Sequence, residues 1–437
     1  MFRFLFNLIA PVLYLVATPF WLKKTQKRGG LSKRLWEKLS YYQAKSPVSG
    51  EANEGLIQMH VASVGEANIA RKLITCWQEA DPEQKFLVTV GTSTGFDLLE
   101  AAMLSHTRIG YAPLDLPPIV KRHFNRYRPQ LLILVEQELW PNLLAEAKRR
   151  AIPIALCNAR LSPRSADRLK KFRWAVGKMY QHLDWVGLQV ADDGALFERV
   201  GINSEKLHTM GSIKFDPATA TPTAPSLTSA KPILSRLGKH PILMALSTHA
   251  GEELLFAKAA QKCPQASCVI IPRHVERAKE ILKELREAGF EVILRSTLKT
   301  EDTESLDGKV LLVDSTGEMP AFTPLATICF VGKTLTSSGG QNPCEAIAAK
   351  VPVIAGPHFE NFEPLVTTLR ENKGIKIIKD TETLAAAMQE LLSNAEAKNK
   401  QSDAALLILE EHRGATAQTV SALSAILSKT QNLQTVS

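Results

Sequence analysis

Cysteine is scarce in this chain of 437 residues. The six cysteines, at 76, 157, 263, 268, 329 and 344, are too few and too scattered for a disulfide framework and read as reduced, buried residues of a cytosolic protein. Cys263 and Cys268 form a lone Cys-x4-Cys with no second pair, which argues against zinc. No two aspartates stand two positions apart, so a divalent metal held by Asp-x-Asp is disfavoured, and no His-rich metal spacing replaces it. Low-complexity tracts are missing too. With 45% hydrophobic and 22% charged residues the composition is ordinary for a globular protein and excludes whole-chain disorder. The length implies two or three domains, each able to bury a core without staples. Acidic residues are in deficit. The 53 lysines and arginines exceed the 44 acids, a net charge of +9, which favours an anionic partner: nucleic acid, anionic lipid or a phosphorylated substrate.

Long apolar runs are confined to the amino terminus. Residues 4–22, FLFNLIAPVLYLVATPFWL, contain fifteen apolar residues; Asn7, Pro11, Thr18 and Pro19 are the exceptions. As a helix such a segment reaches about 28 Å, close to the hydrocarbon thickness of a bilayer. Trp21 sits where an interfacial aromatic belt would lie. No small-residue cleavage site follows, which disfavours a signal peptide. Between residues 21 and 50 eight basic residues face a single acid, Glu37, and this bias places the following body on the cytoplasmic side. The expectation is a spanning anchor with the body at the cytoplasmic face of the membrane; Pro11 leaves a half-inserted hairpin or a helix lying on the surface as the alternative.

After residue 50, apolar strand patterns alternate with helical ones. LIQMHVAS (56–63), KFLVTVGT (85–92), LLILVE (131–136) and IPIALCNA (152–159) form one series. ILMALSTH (242–249), SCVIIPRH (267–274), FEVILR (290–295), VLLVDS (310–315), TICFVG (327–332) and VPVIAG (351–356) form another. Continuous apolar strands between helices indicate parallel sheets covered on both faces. The fold class is therefore α/β, with two Rossmann-like, doubly wound lobes and a crevice expected between them. The expected boundaries are 1–35 for the anchor and its basic flank and 36–216 for the first lobe. A Pro/Thr/Ser/Ala-rich linker at 217–232, a second lobe at 233–412 and a carboxyl-terminal helix or tail at 413–437 complete the chain. The lobes share a faint echo: IQMHVASVGEANIARKLI and ILMALSTHAGEELLFAKAA both read strand, Ser, Gly-Glu, helix.

Three loops put a carboxylate at the third position of a helix after a strand. They are Ser63-Val64-Gly65-Glu66, Ser315-Thr316-Gly317-Glu318 and Asn342-Pro343-Cys344-Glu345. Glu66 could serve as a general base facing the crevice, but Ser-x-x-Glu is equally a capping box that satisfies its own backbone donors. Gly339-Gly340-Gln341-Asn342-Pro343 permits close backbone approach of a phosphate to a helix amino end, or makes a plain tight turn. Gly332-Lys333-Thr334 lacks the glycine five residues earlier that a P-loop needs. Arg273, closing a strand, could fork onto a phosphate or carboxylate, or pair on the surface. His249 and His274 sit at strand ends of the same lobe and read more readily as satisfied loop histidines. Residues 121–180 hold fourteen basic residues against four acids, a face suited to anionic lipid, with no nucleic-acid-binding motif beside it.

Taken in order, several stretches carry a resemblance. HVASVGEA (60–67), YAPLDLP (111–117), RPQLLILVEQELWPNLLAEAKRRAIPIALCNARLSPRS (128–165), GSIKFD (211–216), STHAGEE (247–253), PRHVER (272–277), DSTGEM (314–319), GGQNPCEA (339–346) and GPHFENF (356–362) resemble the 3-deoxy-D-manno-octulosonic acid (Kdo) transferases of lipopolysaccharide inner-core assembly. The resemblance implies a GT-B architecture and an inverting, metal-independent glycosyltransferase without a cofactor. It further implies CMP-Kdo as donor, a hydroxyl of the phosphorylated lipid A precursor as acceptor, and a membrane site of action. Carried over by motif, Glu66 is the expected proton acceptor. Pro272 and Arg273, then Thr316, Gly317 and Glu318, then Asn342, Pro343, Cys344 and Glu345 are the expected CMP contacts, with Glu345 on the ribose hydroxyls. Ser63, Gly65, Glu136, Glu138 and Arg160 are candidate contacts to acceptor or Kdo. Gln341 stands where the family usually has His, Thr316 where Met is usual, Cys344 and Ala346 where Leu and other residues are commoner, and Gly332-Lys333-Thr334 replaces a Gly-Gly-Ser type loop. Two rivals stand beside this reading: another GT-B enzyme using a UDP-sugar, as transferase or epimerase, and a non-catalytic tether for anionic lipid.

Overall fold

A computed structural model describes residues 2–26, 33–41, 55–217, 224–299 and 302–435. The chain forms two compact units. The first comprises Met1–Lys214 together with Gly414–Ser437, and the second Phe215–Arg413.

In the first unit the strands are β1 (Ile57–Val61), β2 (Phe86–Val90), β3 (Thr107–Tyr111), β4 (Leu131–Val135), β5 (Ile154–Ala159), β6 (Trp185–Leu188) and β7 (Leu207–Thr209). They make a parallel sheet in the order β3-β2-β1-β4-β5-β6-β7. The five residues of β1, β2 and β4 are all buried, as a central strand covered on both faces requires. The chain leaves β1 in one direction and resumes at β4 in the other. The crevice of an open α/β sheet lies at that switch of direction, at the carboxyl ends of the strands. The residues that close the first unit come from the far end of the chain. Helix Ala415–Thr435 packs on helix Val64–Ala80, and Ala415, Leu423 and Leu427 join the core that holds Ile69, Leu73 and Trp77.

The second unit repeats the plan. Its strands are β8 (Ile242–Thr248), β9 (Ser267–Pro272), β10 (Val292–Leu294), β11 (Val310–Leu312), β12 (Ile328–Val331), β13 (Val353–Ala355) and β14 (Ile375–Ile377). They are parallel, in the order β10-β11-β9-β8-β12-β13-β14, with the switch between β8 and β12. Of the segment read as a linker, 218–223 lies outside the described residues. From Ala224 the chain is helical to Ser235, with Pro232 inside, and Ala230, Ile233 and Leu234 are buried in this unit's core. The run of prolines therefore conceals a packed helix where an exposed connector was expected.

The amino-terminal segment is also helical, Phe2–Gln26. Among the described residues, however, no helix is long and apolar enough to cross a membrane, so the spanning expectation stands unconfirmed. Asn7, Pro11, Thr18 and Pro19 dilute the run, and part of the helix is committed to the protein. Ala10 is buried, the helix packs on helix Arg173–Gln181, and the Asn7 Oδ1 accepts a 2.7 Å hydrogen bond from the Asn142 amide. Phe4, Leu8, Ile9, Val12, Leu13 and Val16 nevertheless remain exposed.

Candidate active site

Glu66 lies in the first turn after β1. Ser63 caps the helix with extended backbone, φ −121° and ψ 167°, and its hydroxyl oxygen accepts from the Glu66 N–H at 3.3 Å. The Glu66 carboxylate turns back: Oε1 accepts from the Ser63 hydroxyl at 2.7 Å and Oε2 from the Ala62 N–H at 2.6 Å. The residue is 7% exposed. The capping reading of Ser-x-x-Glu is thus met in half: Ser63 accepts the Glu66 N–H, but the Glu66 carboxylate takes the Ala62 N–H and the Ser63 hydroxyl in place of the Ser63 N–H, so both oxygens have local donors.

Glu66 does not stand alone. Beyond the switch point, β4 runs into Glu136, which takes a left-handed φ of 61°. Burial raises the Glu136 carboxyl above its usual range, and the Glu66 charge raises it further. Lys214, Arg160 and a hydrogen bond from Asn158 pull it back. Glu138 is also raised, first by burial and then by Glu66 and Glu136, against a 2.8 Å hydrogen bond from the Trp140 indole. Three carboxylates therefore interact at one sheet edge, with Arg160 and Lys214 as cations that act on Glu136. Asn158, itself at φ 54°, ties the group together. Its amide donates to Glu136 at 3.4 Å, and its Oδ1 accepts from the Ile213 N–H at 2.9 Å. Ser63, Gly65, Glu66, Glu136, Glu138 and Arg160 thus all follow β1, β4 or β5 on the edge where the sheet reverses.

In the second unit the expected donor residues also lie at carboxyl ends of strands. Pro272 ends β9 and is buried; Arg273 is exposed, its N–H donating to the Thr248 carbonyl at 3.1 Å. Thr316 and Gly317 are exposed in the turn after β11. Glu318 is engaged locally: it accepts from Arg295 at 2.9 Å and from the Ser315 hydroxyl. Pro343 is the N-cap of the short helix Cys344–Ala348, and the Oδ1 of Asn342 before it accepts a 3.0 Å hydrogen bond from the Cys344 N–H. The two glycines before it have a packing reason. Both have positive φ, and a Cβ on Gly340 would lie 2.8 Å from the His358 carbonyl. The tight-turn reading of Gly339-Gly340 therefore explains them without a ligand.

Two buried acids missed by the sequence reading organise this edge. Glu252 opens helix Glu252–Gln261 and is fully buried. Oε2 accepts from the N–H groups of His249 (2.9 Å) and Lys333 (2.6 Å), and Oε1 from those of Thr334 (3.1 Å) and Leu335 (3.0 Å). One carboxylate thus pins the loop after β12 to the loop after β8, across the switch point. Its neighbour Glu253, also fully buried, accepts from Thr248 Oγ1 at 3.0 Å and Arg277 Nη1 at 2.9 Å. The signal was present in the internal echo: Gly65-Glu66 corresponds to Gly251-Glu252, and both acids bind main-chain N–H groups at a switch point. His249 meets Gln341 at 3.1 Å and stacks edge-on against His274. With the Gln341 amide donating, His249 is neutral at Nε2, and burial lowers its pKa in the same direction. Among the described residues no group of three or more His, Cys, Asp or Glu side chains could hold a metal ion.

Comparison with known proteins supplies the chemistry. A family profile described as 3-Deoxy-D-manno-octulosonic-acid transferase (kdotransferase) matches residues 33–217. The 3-deoxy-D-manno-octulosonic acid transferase of Haemophilus influenzae is 34% identical over 366 residues, 82% of this chain and 84% of that one. Its counterpart from Bordetella pertussis is 31% identical over 434 residues, 95% of this chain and 96% of that one. Among solved structures, UDP-GlcNAc 2-epimerase from Neisseria meningitidis superposes with a TM-score of 0.55 at 12% identity, over 85% of this chain and all of that one. Anabaena Alr3699/HepE in complex with UDP does so with a TM-score of 0.51 at 15% identity, over 84% and 99%. These two share the fold alone, a pair of Rossmann-like lobes of GT-B type. Identity sustained over most of both chains shows that this protein belongs to the 3-deoxy-D-manno-octulosonic acid (Kdo) transferase family, glycosyltransferases of lipopolysaccharide biosynthesis.

Proposed function

We propose that the enzyme moves Kdo from CMP-Kdo to a hydroxyl of the phosphorylated lipid A precursor, with inversion and without a metal or cofactor. The observation that carries the reading is the carboxylate group after β1 and β4, set at the switch point of the first unit's sheet beside Arg160 and Lys214. A sugar hydroxyl must lose its proton as it attacks, and a carboxylate within reach of it contributes about 10²–10⁴-fold. Glu66 is the proposed acceptor of that proton, and Ser63, Gly65, Glu138 and Arg160 orient acceptor or Kdo. CMP departs with its charge met by Arg273 and by main-chain N–H groups at residues 316–318, 342 and 345, with Pro343 and Cys344 shaping that turn. The protein works at the cytoplasmic face of the inner membrane, its amino-terminal helix lying on the surface with the exposed stripe Phe4 to Val16 toward lipid.

A second assignment of the base rests on one observation: both Glu66 oxygens already accept capping hydrogen bonds, whereas burial raises the pKa of Glu136 and makes it the stronger base when ionised. Incubation with CMP-Kdo and a lipid A precursor, read by mass spectrometry, tests the reaction. One or more added Kdo masses are expected, with EDTA present or not; no mass gain overturns it. Glu66→Gln should abolish transfer while CMP still binds; retained turnover, with Glu136→Gln inactive, moves the base to Glu136. Titration with CMP and UDP separates the donor classes, since only CMP should bind tightly.

A further inference from the structure

A cavity of about 390 Å³ lies between the amino-terminal helix, helix Pro141–Arg149 and helix Arg173–Gln181, all in the first unit and outside the carboxylate group. Its wall is split by chemistry. Phe2, Trp174 and Met179 supply apolar surface, and Arg3, Lys178 and His182 supply cations or donors, with no acid among the lining side chains. The carboxylate that Arg3 senses, Asp115, is buried and spends both oxygens on the Asn142 and Leu143 N–H groups, at 3.0 and 2.8 Å. The cavity walls are held in register by the bond between Asn7 and Asn142. Its surroundings are amphipathic in the same sense. Phe4 and Leu8 are exposed on the helix that forms one wall. At the corner leading into another wall, Lys170, Lys171, Phe172, Arg173 and Trp174 are all exposed in succession.

We propose that this cavity takes one anionic phospholipid from the bilayer surface, its phosphate on Arg3 and Lys178 and the head of an acyl chain against Phe2, Trp174 and Met179. A bare phosphate would leave the aromatic and thioether wall facing water. A neutral lipid would leave the cations without a counter-charge. A nucleotide base would find no Asn, Gln, Ser or Thr among the lining side chains to read its edge. An anionic amphiphile satisfies both halves, and the volume is within the range of small-molecule sites. His182 adds a donor; Lys148, Arg3 and Lys206 act on it alongside Asp184, so its surroundings are net positive. The proposal rests on the surface-lying reading of the amino-terminal helix and is independent of Kdo transfer.

The test is titration of the full chain with dihexanoylphosphatidylglycerol kept below its micelle concentration, followed by tryptophan fluorescence and referenced to Trp174→Phe. A saturable change that Trp174→Phe removes is expected. Dihexanoylphosphatidylcholine and inorganic phosphate should bind about tenfold more weakly or worse, and Lys178→Glu should weaken the phosphatidylglycerol response by about the same factor. Arg3→Gln serves as a second, milder variant, and circular dichroism with CMP titration verifies that both remain folded. Equal binding of phosphatidylcholine, an equal response to phosphate alone, or an unchanged Lys178→Glu would each overturn the proposal. Displacement of the short lipid by the glycolipid acceptor would also overturn it, by making the cavity an acceptor subsite. Because no donor or turnover enters the titration, its failure is separate from failure of the transfer assay.

Discussion

At the scale of single residues, the decisive pattern is the carboxylate that binds its own main chain. Glu252 accepts four backbone N–H groups from two loops, an arrangement that holds the residues leading into Gly339 and Asn342. Glu252→Gln keeps the shape but replaces one acceptor oxygen by an NH₂ that faces two donors. The expected cost is about 2–4 kcal/mol, since breaking a satisfied buried charge leaves donors without partners. CMP affinity should fall with it, while a denaturant melt and a CMP titration report the two effects separately; a variant as stable as the parent would deny Glu252 this role. The sequence displayed the Gly-Glu echo but not its purpose. Spacing permits a cap and a catalytic acid alike, and only the positions of Ala62, Lys333, Thr334 and Leu335 decide which groups the oxygens meet.

At the scale of elements, the central strands other than β6 were legible, and of the edge strands β3, β7, β10 and β14 just β10 was. β1, β2, β4, β5, β8 and β9 are buried along most or all of their length, because both faces are covered, and apart from Gln58, His60, Thr89, Asn158 and the Ser and Thr at strand ends they are apolar. β3, β6, β7 and β14 escaped the sequence reading. Three of them, β6, β7 and β14, have only four, three and three residues, and Thr107–Ile109, Leu207 and His208 are only half-buried, so they lack the apolar length or density that marks a long central strand. The helix Ala224–Ser235 was hidden by its prolines, which break a helix by propensity but are overridden here by the burial of Ala230, Ile233 and Leu234. The segment 413–437 read as a helix or a tail, and nothing in its sequence names helix Val64–Ala80 as the partner of helix Ala415–Thr435. Leu423, fully buried between them, gives the check: Leu423→Ala should cost about 2–5 kcal/mol in a thermal or denaturant melt.

At the scale of the whole molecule, acid sensitivity should originate in the first unit. Gln58, His60, Thr89 and His123 form a buried polar chain, with His60 to Thr89 at 2.9 Å and His123 to Gln58 at 3.1 Å. Burial pushes His60 down to about 4; burial, with a contribution from His60, pushes His123 down to about 3. Both lie below the unfolded value of 6.5, so the unfolded chain takes up protons first and stability is lost as pH falls from 6.5 toward these values. Asp115, raised to about 6 chiefly by burial, works the other way and adds stability as pH falls from about 6 toward 3.8. The net loss should therefore begin between pH 6.5 and 6. His123→Gln, which removes one of the two histidine contributions, should flatten the curve by about 3 kcal/mol between pH 6.5 and 4, read from urea midpoints at each pH. Chain order adds a constraint on biogenesis. The second unit is an insertion within the first, whose core is completed by Ala415, Leu423 and Leu427. During synthesis the carboxylates after β1 and β4 emerge early, but helix Val64–Ala80 lacks its packing partner until helix Ala415–Thr435 has been made. A product truncated near residue 410 would thus display raw apolar surface and be a natural target for proteolysis, so only finished chains would persist.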